Sequence, residues 1–309
     1  MDDHSRHVAV PGGDLVAHRL ADAGAEAPVV LAVHGITANG LSMTRVGAAL
    51  AGRATVWAPD LRGRAASRAV GPEYSLGRHA EDLVAVLDAV GAERAVVVGH
   101  SMGAFVAALL AARHPQRVSR AVLVDGGYAF PLAPEATAAH IDAMLEAVLG
   151  PAMRRLSMTF GSPEEYLGFW AQHPALGPVL SGPAGDDLRR YLRHDLVADG
   201  NGGWRSSCVL DAVRADGAAV LTDTEAHAAA VSAAAAGVDI RFRWAPRGLL
   251  DEPQGLYDEQ SIAALRLPAG VDVEQVPDVN HYTVILDDAG VRSIAAAVLA
   301  PAADAATTR

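Results

Sequence analysis

Cysteine is nearly missing from this chain: Cys208 is the only one in 309 residues. No intrachain disulfide and no Cys-rich metal site can form, which suits a reducing compartment. No apolar stretch follows the polar start Met1-Asp2-Asp3-His4, so no secretory leader is expected. The longest apolar runs are alanine-rich and broken by charges, which leaves no candidate transmembrane span. A soluble, cytoplasmic protein is the expectation. Basic residues are also few, 25 against 36 acidic ones, for a formal charge of −11. Such a surface repels phosphate backbones, so no nucleic-acid partner is expected, and without a candidate span no membrane partner is expected either. The glycine-rich stretches lack a phosphate-loop lysine, and no His/Glu cluster has metal-ligand spacing. Neither a cofactor nor a metal is therefore expected.

What the chain does have is apolar bulk. Apolar residues make up 51% and charged ones 20%, the balance of a folded chain with a sizeable core. Short apolar runs at 28–33, 54–59, 94–98 and 120–124 read as buried strands, and helical spacing lies between them at 41–51 and 79–90. In the second of these helices Leu83, Val84, Leu87 and Val90 form one stripe, with Glu81, Asp82 and Asp88 opposite. Strands separated by helices imply right-handed crossovers and a mainly parallel sheet, an α/β architecture. Function in such sheets collects at the carboxyl ends of the strands, where His34, Asp60, Ser101 and Asp125 all stand. From 131 to 236 the pattern changes to helical segments and loops. This stretch is expected to be a mostly helical cap inserted into a core formed by 1–130 and 237–300, with strands resuming at 238–244 and 271–276. A last helix is expected at 291–299, and 301–309 reads as a flexible tail.

The run Gly99-His100-Ser101-Met102-Gly103 stands between the strand 94–98 and a helix, apolar all round, over 102–113. A serine on so sharp a turn projects its hydroxyl into the cleft, and only small neighbours permit the turn. The helix N-terminus then favours developing negative charge, and the Met102 N–H can donate to an oxyanion.

With His34-Gly35, Asp60-Leu61-Arg62-Gly63, the Ser101 turn and Asn280-His281-Tyr282, the sequence resembles the α/β-hydrolase superfamily. It is most similar there to bacterial esterase- and lactonase-like serine hydrolases with a helical cap. The resemblance covers nearly the whole chain, though the cap matches in position more than in residues. It implies the order nucleophile, acid, histidine, with Ser101 as nucleophile and His281 as general base. Ile36, after His34-Gly35, would supply the second oxyanion N–H. His34 would brace that loop and, with Gly35, Phe169 and Trp170, border the substrate. His100, beside the serine, is expected to pack away from the cleft. Two aspartates compete for the acid: Asp125, at the end of the strand after the nucleophile helix, is preferred, and Asp251 is the alternative. The loop continuing as Arg64-Ala65-Ala66-Ser67 departs from the usual His-Gly or Arg-Gly-x-Ser pattern.

A serine acyl-enzyme suits a carboxylic ester or lactone, and apolar cap residues such as Met144, Leu145, Met153, Met158, Phe160 and Leu167 favour a mostly apolar small molecule. The alternatives are a carbon–carbon bond hydrolase acting on a diketone-like substrate, for which Arg154, Arg155 or Arg193 would hold a carboxylate, and a non-catalytic ligand-binding relative of the same fold.

Overall fold

A computed structural model of the chain describes residues 4–130, 143, 145, 146 and 149–301. The chain opens on an antiparallel hairpin of β1 (Ser5–Val10) and β2 (Gly13–Ala21). There follow β3 (Val29–Val33), β4 (Thr55–Pro59), β5 (Ala95–His100), β6 (Val118–Val124), β7 (Leu196–Ala198), β8 (Trp204–Ser206), β9 (Asp239–Trp244) and β10 (Asp272–Gln275). Eight of them form one sheet in the order β1-β2-β4-β3-β5-β6-β9-β10, while β7 and β8 pair separately. From β4 to β10 every pairing is parallel. The central strands are almost wholly buried runs of valine, leucine and alanine, the composition of strands covered on both faces.

The main helices are α1 (Thr44–Ala49), α2 (Leu76–Ala89), α3 (Met102–Arg113), α4 (Pro163–Ala171), α5 (Gly185–His194), α6 (Leu210–Thr222), α7 (Thr224–Ala235) and α8 (Asp288–Leu299). The helix expected over 41–51 is divided, because a 3₁₀ turn at Gly40–Met43, capped by the Asn39 side chain, precedes α1. Helix α2 starts at Ser75, whose hydroxyl accepts from the Arg78 N–H, and buries Leu83, Val86 and Leu87. Asp82, expected on its solvated side, is instead buried in an ion pair with Arg62. Helix α3 is buried nearly throughout, and truncating its Phe105 to alanine would cost about 3–5 kcal/mol.

The expected 131–236 insertion needs one correction among the described residues. Helix α7 packs along α3, with Ala226, Ala229, Ala230 and Ala233 buried between them. Small side chains let the two helices approach closely, so 224–235 belong to the layer covering the sheet and not to an insertion. The expected tail lies outside the described residues beyond Pro301. Among the described residues, no helix is long and apolar enough to cross a membrane.

Register then decides what meets at the sheet's carboxyl edge. His100 pairs with Val124, and Val124 with Arg243, so β5, β6 and β9 end abreast. The Ser101 N–H donates to Val124 O at 2.9 Å and the Asp125 N–H to Arg243 O at 2.7 Å. Ser101, Asp125 and Ala245 therefore leave the sheet side by side.

Candidate active site

Ser101 sits between β5 and α3 with φ 56° and ψ −124°, a conformation L-residues rarely hold. The surroundings enforce it. A Cβ on Gly99 would collide with the Gly103 carbonyl, and one on Gly103 with the carbonyls of Val33 and His34. Both glycines of the motif are thus required for close approach. Met102 is the first residue of α3, so its amide belongs to the unpaired donors at the helix start.

His281 follows β10 in a tight turn held by Asn280, whose side-chain oxygen accepts from the N–H groups of Tyr282 and Thr283. Its Nδ1 lies 2.7 Å from Asp125 Oδ2. Asp125 is fully buried, and its other oxygen accepts from the Ala245 N–H at 3.1 Å. The alternative, Asp251, is directed elsewhere: its Oδ1 accepts from Asn280 Nδ2 at 2.9 Å and pairs with Arg247 at 3.0 Å. It acts on the His281 turn only through Asn280. On the opposite side His100 Nε2 donates to the His281 carbonyl at 2.8 Å, so the histidine next to the serine fixes the backbone of His281. Burial drives the His100 imidazole well below its ordinary range, keeping it neutral.

His34 is not at the substrate surface, contrary to expectation. It is fully buried, Nδ1 donating to Gly35 O at 2.8 Å and Nε2 accepting from the Leu61 N–H at 2.9 Å. Burial pushes its imidazole down to about 3. Gly35 does border the site, since a Cβ there would stand 3.3 Å from Ser101 Cβ. Beside this loop lies a cation absent from the sequence expectations: Arg64, with no exposed surface, donates through Nε to Ile36 O at 3.0 Å. Its partners come from segments remote in sequence, which hides it from local reading.

Two hollows meet at Ser101 and His281. The larger, 270 Å³, is lined by Ile36, Phe130, Leu145, Val220, Leu249 and Leu256 among others. The smaller, 30 Å³, is bordered by Thr37, Ser42, Tyr191 and Tyr282. Phe169 and Trp170, expected to border the substrate, line neither among the described residues. They pack instead in an aromatic cluster with Phe160 and Tyr166, because the β7–β8 hairpin and α4 need a core of their own. Arg155 is buried there, over the Trp170 ring and donating to Thr37 O at 2.6 Å. Arg193 is half-exposed, 3.4 Å from Glu164. Neither these two nor Arg154 lines a hollow, and Met144 lies outside the described residues.

A family profile described as alpha/beta hydrolase fold matches residues 28–156. The sheet order, the strained serine turn and this match coincide. The chain is an α/β-hydrolase-fold protein. Among curated proteins it is similar to an uncharacterised protein of Mycobacterium tuberculosis, 40% identical over 111 residues that cover 36% of this chain and 32% of that one. It is also similar to the lipase LipV of the same species, 35% identical over 182 residues, 58% of this chain and 62% of that one. The chain thus spans between about a third and three fifths of the length of these relatives. The crystal structure of E-2-(acetamidomethylene)succinate hydrolase superposes with a TM-score of 0.70 at 21% identity, over 94% of this chain and 97% of that one. At that identity the likeness is one of fold.

One further cluster of this hydrolase-fold protein lies beside the site. Asp60, at the end of β4, accepts on Oδ2 from His18 at 3.0 Å, from His194 at 2.8 Å and from the Ala66 N–H at 3.1 Å. Its Oδ1 accepts from the Gly40 N–H at 2.8 Å. The three side chains offer donor atoms within 4.8 Å of one another, the set that could hold a divalent cation. As arranged, each histidine bonds the carboxylate itself, and burial, which would raise the Asp60 carboxyl, is overridden so that it stays well below the usual range. His194 ends α5, so this bond ties the segment between β6 and β9 to the sheet.

Proposed function

We propose that this protein hydrolyses uncharged, largely apolar carboxylic esters, lactones included, through an acyl-enzyme on Ser101. One observation carries the reading: a serine in a strained strand-to-helix turn shares the mouth of an apolar 270 Å³ hollow with His281, which is held by a buried Asp125. His281 takes the proton of the Ser101 hydroxyl as Oγ attacks the carbonyl carbon, and returns it to the departing alcohol oxygen. A water then attacks the acyl-enzyme by the same route, giving the acid and free serine. The amides of Ile36 and Met102 hold the oxyanion. Asp125 keeps the His281 tautomer with Nδ1–H and balances its transient charge.

The wall composition argues for the substrate class. An apolar cavity of about 150 Å³ holds a benzene, so 270 Å³ accommodates roughly ten non-hydrogen atoms. Among the described residues no cation lines either hollow, which argues against the carboxylate anchor that a diketone-cleaving carbon–carbon hydrolase needs. The segment from 149 to the end of α5 serves as the lid over the site, latched by His194 on Asp60.

The test is a fluorophosphonate probe followed by a panel of nitrophenyl esters. Labelling of Ser101, abolished by Ser101→Ala, with turnover of short to medium acyl chains is expected. A purified, folded protein that resists the probe overturns the reading and favours a ligand-binding role.

A further inference from the structure

We propose that Arg64 is a positioning residue for the oxyanion side of the site, an inference that rests on the acyl-transfer reading above. Arg64 occupies the loop whose sequence departs from the usual pattern after Asp60-Leu61-Arg62-Gly63. Its guanidinium is spread over four partners. Nε donates to Ile36 O at 3.0 Å, while Nη1 donates to Arg62 O at 2.8 Å and to Asp216 Oδ2 at 2.6 Å. Nη2 stands 4.0 Å from Met102 Sδ. One planar fork therefore touches both residues whose amides would bind the oxyanion.

The geometry explains how the Ile36 N–H is aimed. That N–H shares a trans peptide plane with the Gly35 carbonyl, so the two point in opposite directions. His34 Nδ1 pulls the Gly35 carbonyl toward the protein interior, and Arg64 Nε holds the next carbonyl, that of Ile36. The amide is fixed from both flanks. A donor locked before reaction need not reorganise when charge develops, which is where oxyanion stabilisation comes from.

Charge adds to position. The guanidinium, not the Asp216 carboxylate, hydrogen-bonds Ile36 and approaches Met102, so the cation of the buried pair is the charge bonded to the oxyanion loop. His79 Nε2 lies 2.9 Å from the same Asp216 oxygen and fixes the pair from behind. Burial would raise the Asp216 carboxyl, but His79 and Arg64 hold it down at about 2. Gly217, the next residue on α6, lines the large hollow, so substrate wall and oxyanion loop share one anchor.

Arg64→Met alone strands a buried carboxylate and so risks failing to fold. The test is therefore the Arg64→Met/Asp216→Asn pair, with Arg64→Lys and Asp216→Asn beside it. Turnover of nitrophenyl butyrate is normalised to sites titrated with a fluorophosphonate. The double variant is expected to lose about 10–100-fold in kcat per titrated site with KM within about threefold, less than removal of a donor outright. Asp216→Asn, which keeps the Arg64 contact to Ile36 but removes one of the two residues that steady the fork, is expected to lose less kcat than the double variant, and a loss as large as the double's overturns the proposal. Native kcat per site in a folded double variant overturns the proposal, and so does a loss confined to KM. If the double variant does not fold, Arg64→Lys decides: charge without the fork lowers kcat severalfold, and an unchanged kcat overturns the proposal. A native protein that the probe does not label defeats the acyl-transfer reading itself, a separate outcome.

Discussion

His281 Nδ1 stands 2.7 Å from Asp125 Oδ2, and Asp251, the other carboxylate within reach by sequence, is bonded instead to Asn280. The acid in contact with the histidine thus leaves β6, directly beside the serine. Asp125→Asn is expected to lower kcat by about 10³–10⁴-fold, since the amide would favour the wrong imidazole tautomer. Asp251→Asn should lose less than about tenfold, acting only through the Asn280 turn. Steady-state kinetics of the two purified variants, side by side, decide between them.

His34 makes stability depend on pH. Its folded value of about 3 lies below the ordinary 6.5, so between these limits the unfolded chain takes up a proton that the native one refuses. Stability therefore falls as pH drops from 6.5 toward 3. Protonation would set an Nε2–H against the Leu61 N–H, two donors facing each other. The loss from pH 7 to pH 5 attributable to this residue is about 2 kcal/mol. Urea unfolding at both pH values should give a flatter dependence for His34→Gln by that amount; equal slopes would refute the assignment.

Gly217 sets the size of the large hollow. A Cβ there would stand 2.6 Å from Leu145 Cδ2 and 3.2 Å from Ile36 Cδ1, both facing the cavity. Gly217→Val is expected to shift the preferred acyl chain shorter by two or more carbons (roughly 0.8 kcal/mol for each methylene excluded). Leu221→Ala, on the same helix and the same wall, should shift it longer. Chain-length profiles that move together, or not at all, would show that the acyl group lies elsewhere.

Gly99→Ala tests the serine turn. Its methyl would meet the Gly103 carbonyl inside contact distance, with backbone on both sides and no flexible group to yield. A lower melting temperature and loss of fluorophosphonate labelling are expected together, by more than about 3 kcal/mol of stability. A fully labelled, native-like variant would mean that the turn is less constrained than its geometry demands.

Much of this arrangement was legible in the sequence because the central strands are continuous apolar runs. Strands β3 to β6 lie within a residue or two of those runs, and β9 and β10, which mix polar and apolar residues, within a residue of the stretches expected for them. β1 was not legible: its residues are mostly exposed, so this edge strand carries no apolar run. The boundary at α7 was hidden for a different reason. A helix of alanines has no strong apolar face, yet its small side chains are what allow it against α3. The choice between Asp125 and Asp251 depended on the register of β6 against β9, a tertiary fact. Arg64 and Asp60 were visible as motif residues, but their partners Asp216 and His194 stand 152 and 134 positions away. The aromatic run at Phe169-Trp170 misled because a small segment needs its own apolar core before it can border anything else.

The position of Asp125 directly after β6 has an evolutionary consequence. The loop after β9 borders the large hollow through Leu249, Gln254, Gly255 and Leu256, while its Asp251 braces Asn280. With the proposed acid Asp125 outside that loop, its wall positions can accept exchanges that remould the chamber while the His281–Asp125 contact stays intact. Divergence of substrate preference among descendants of this chain should therefore concentrate in residues 246–257.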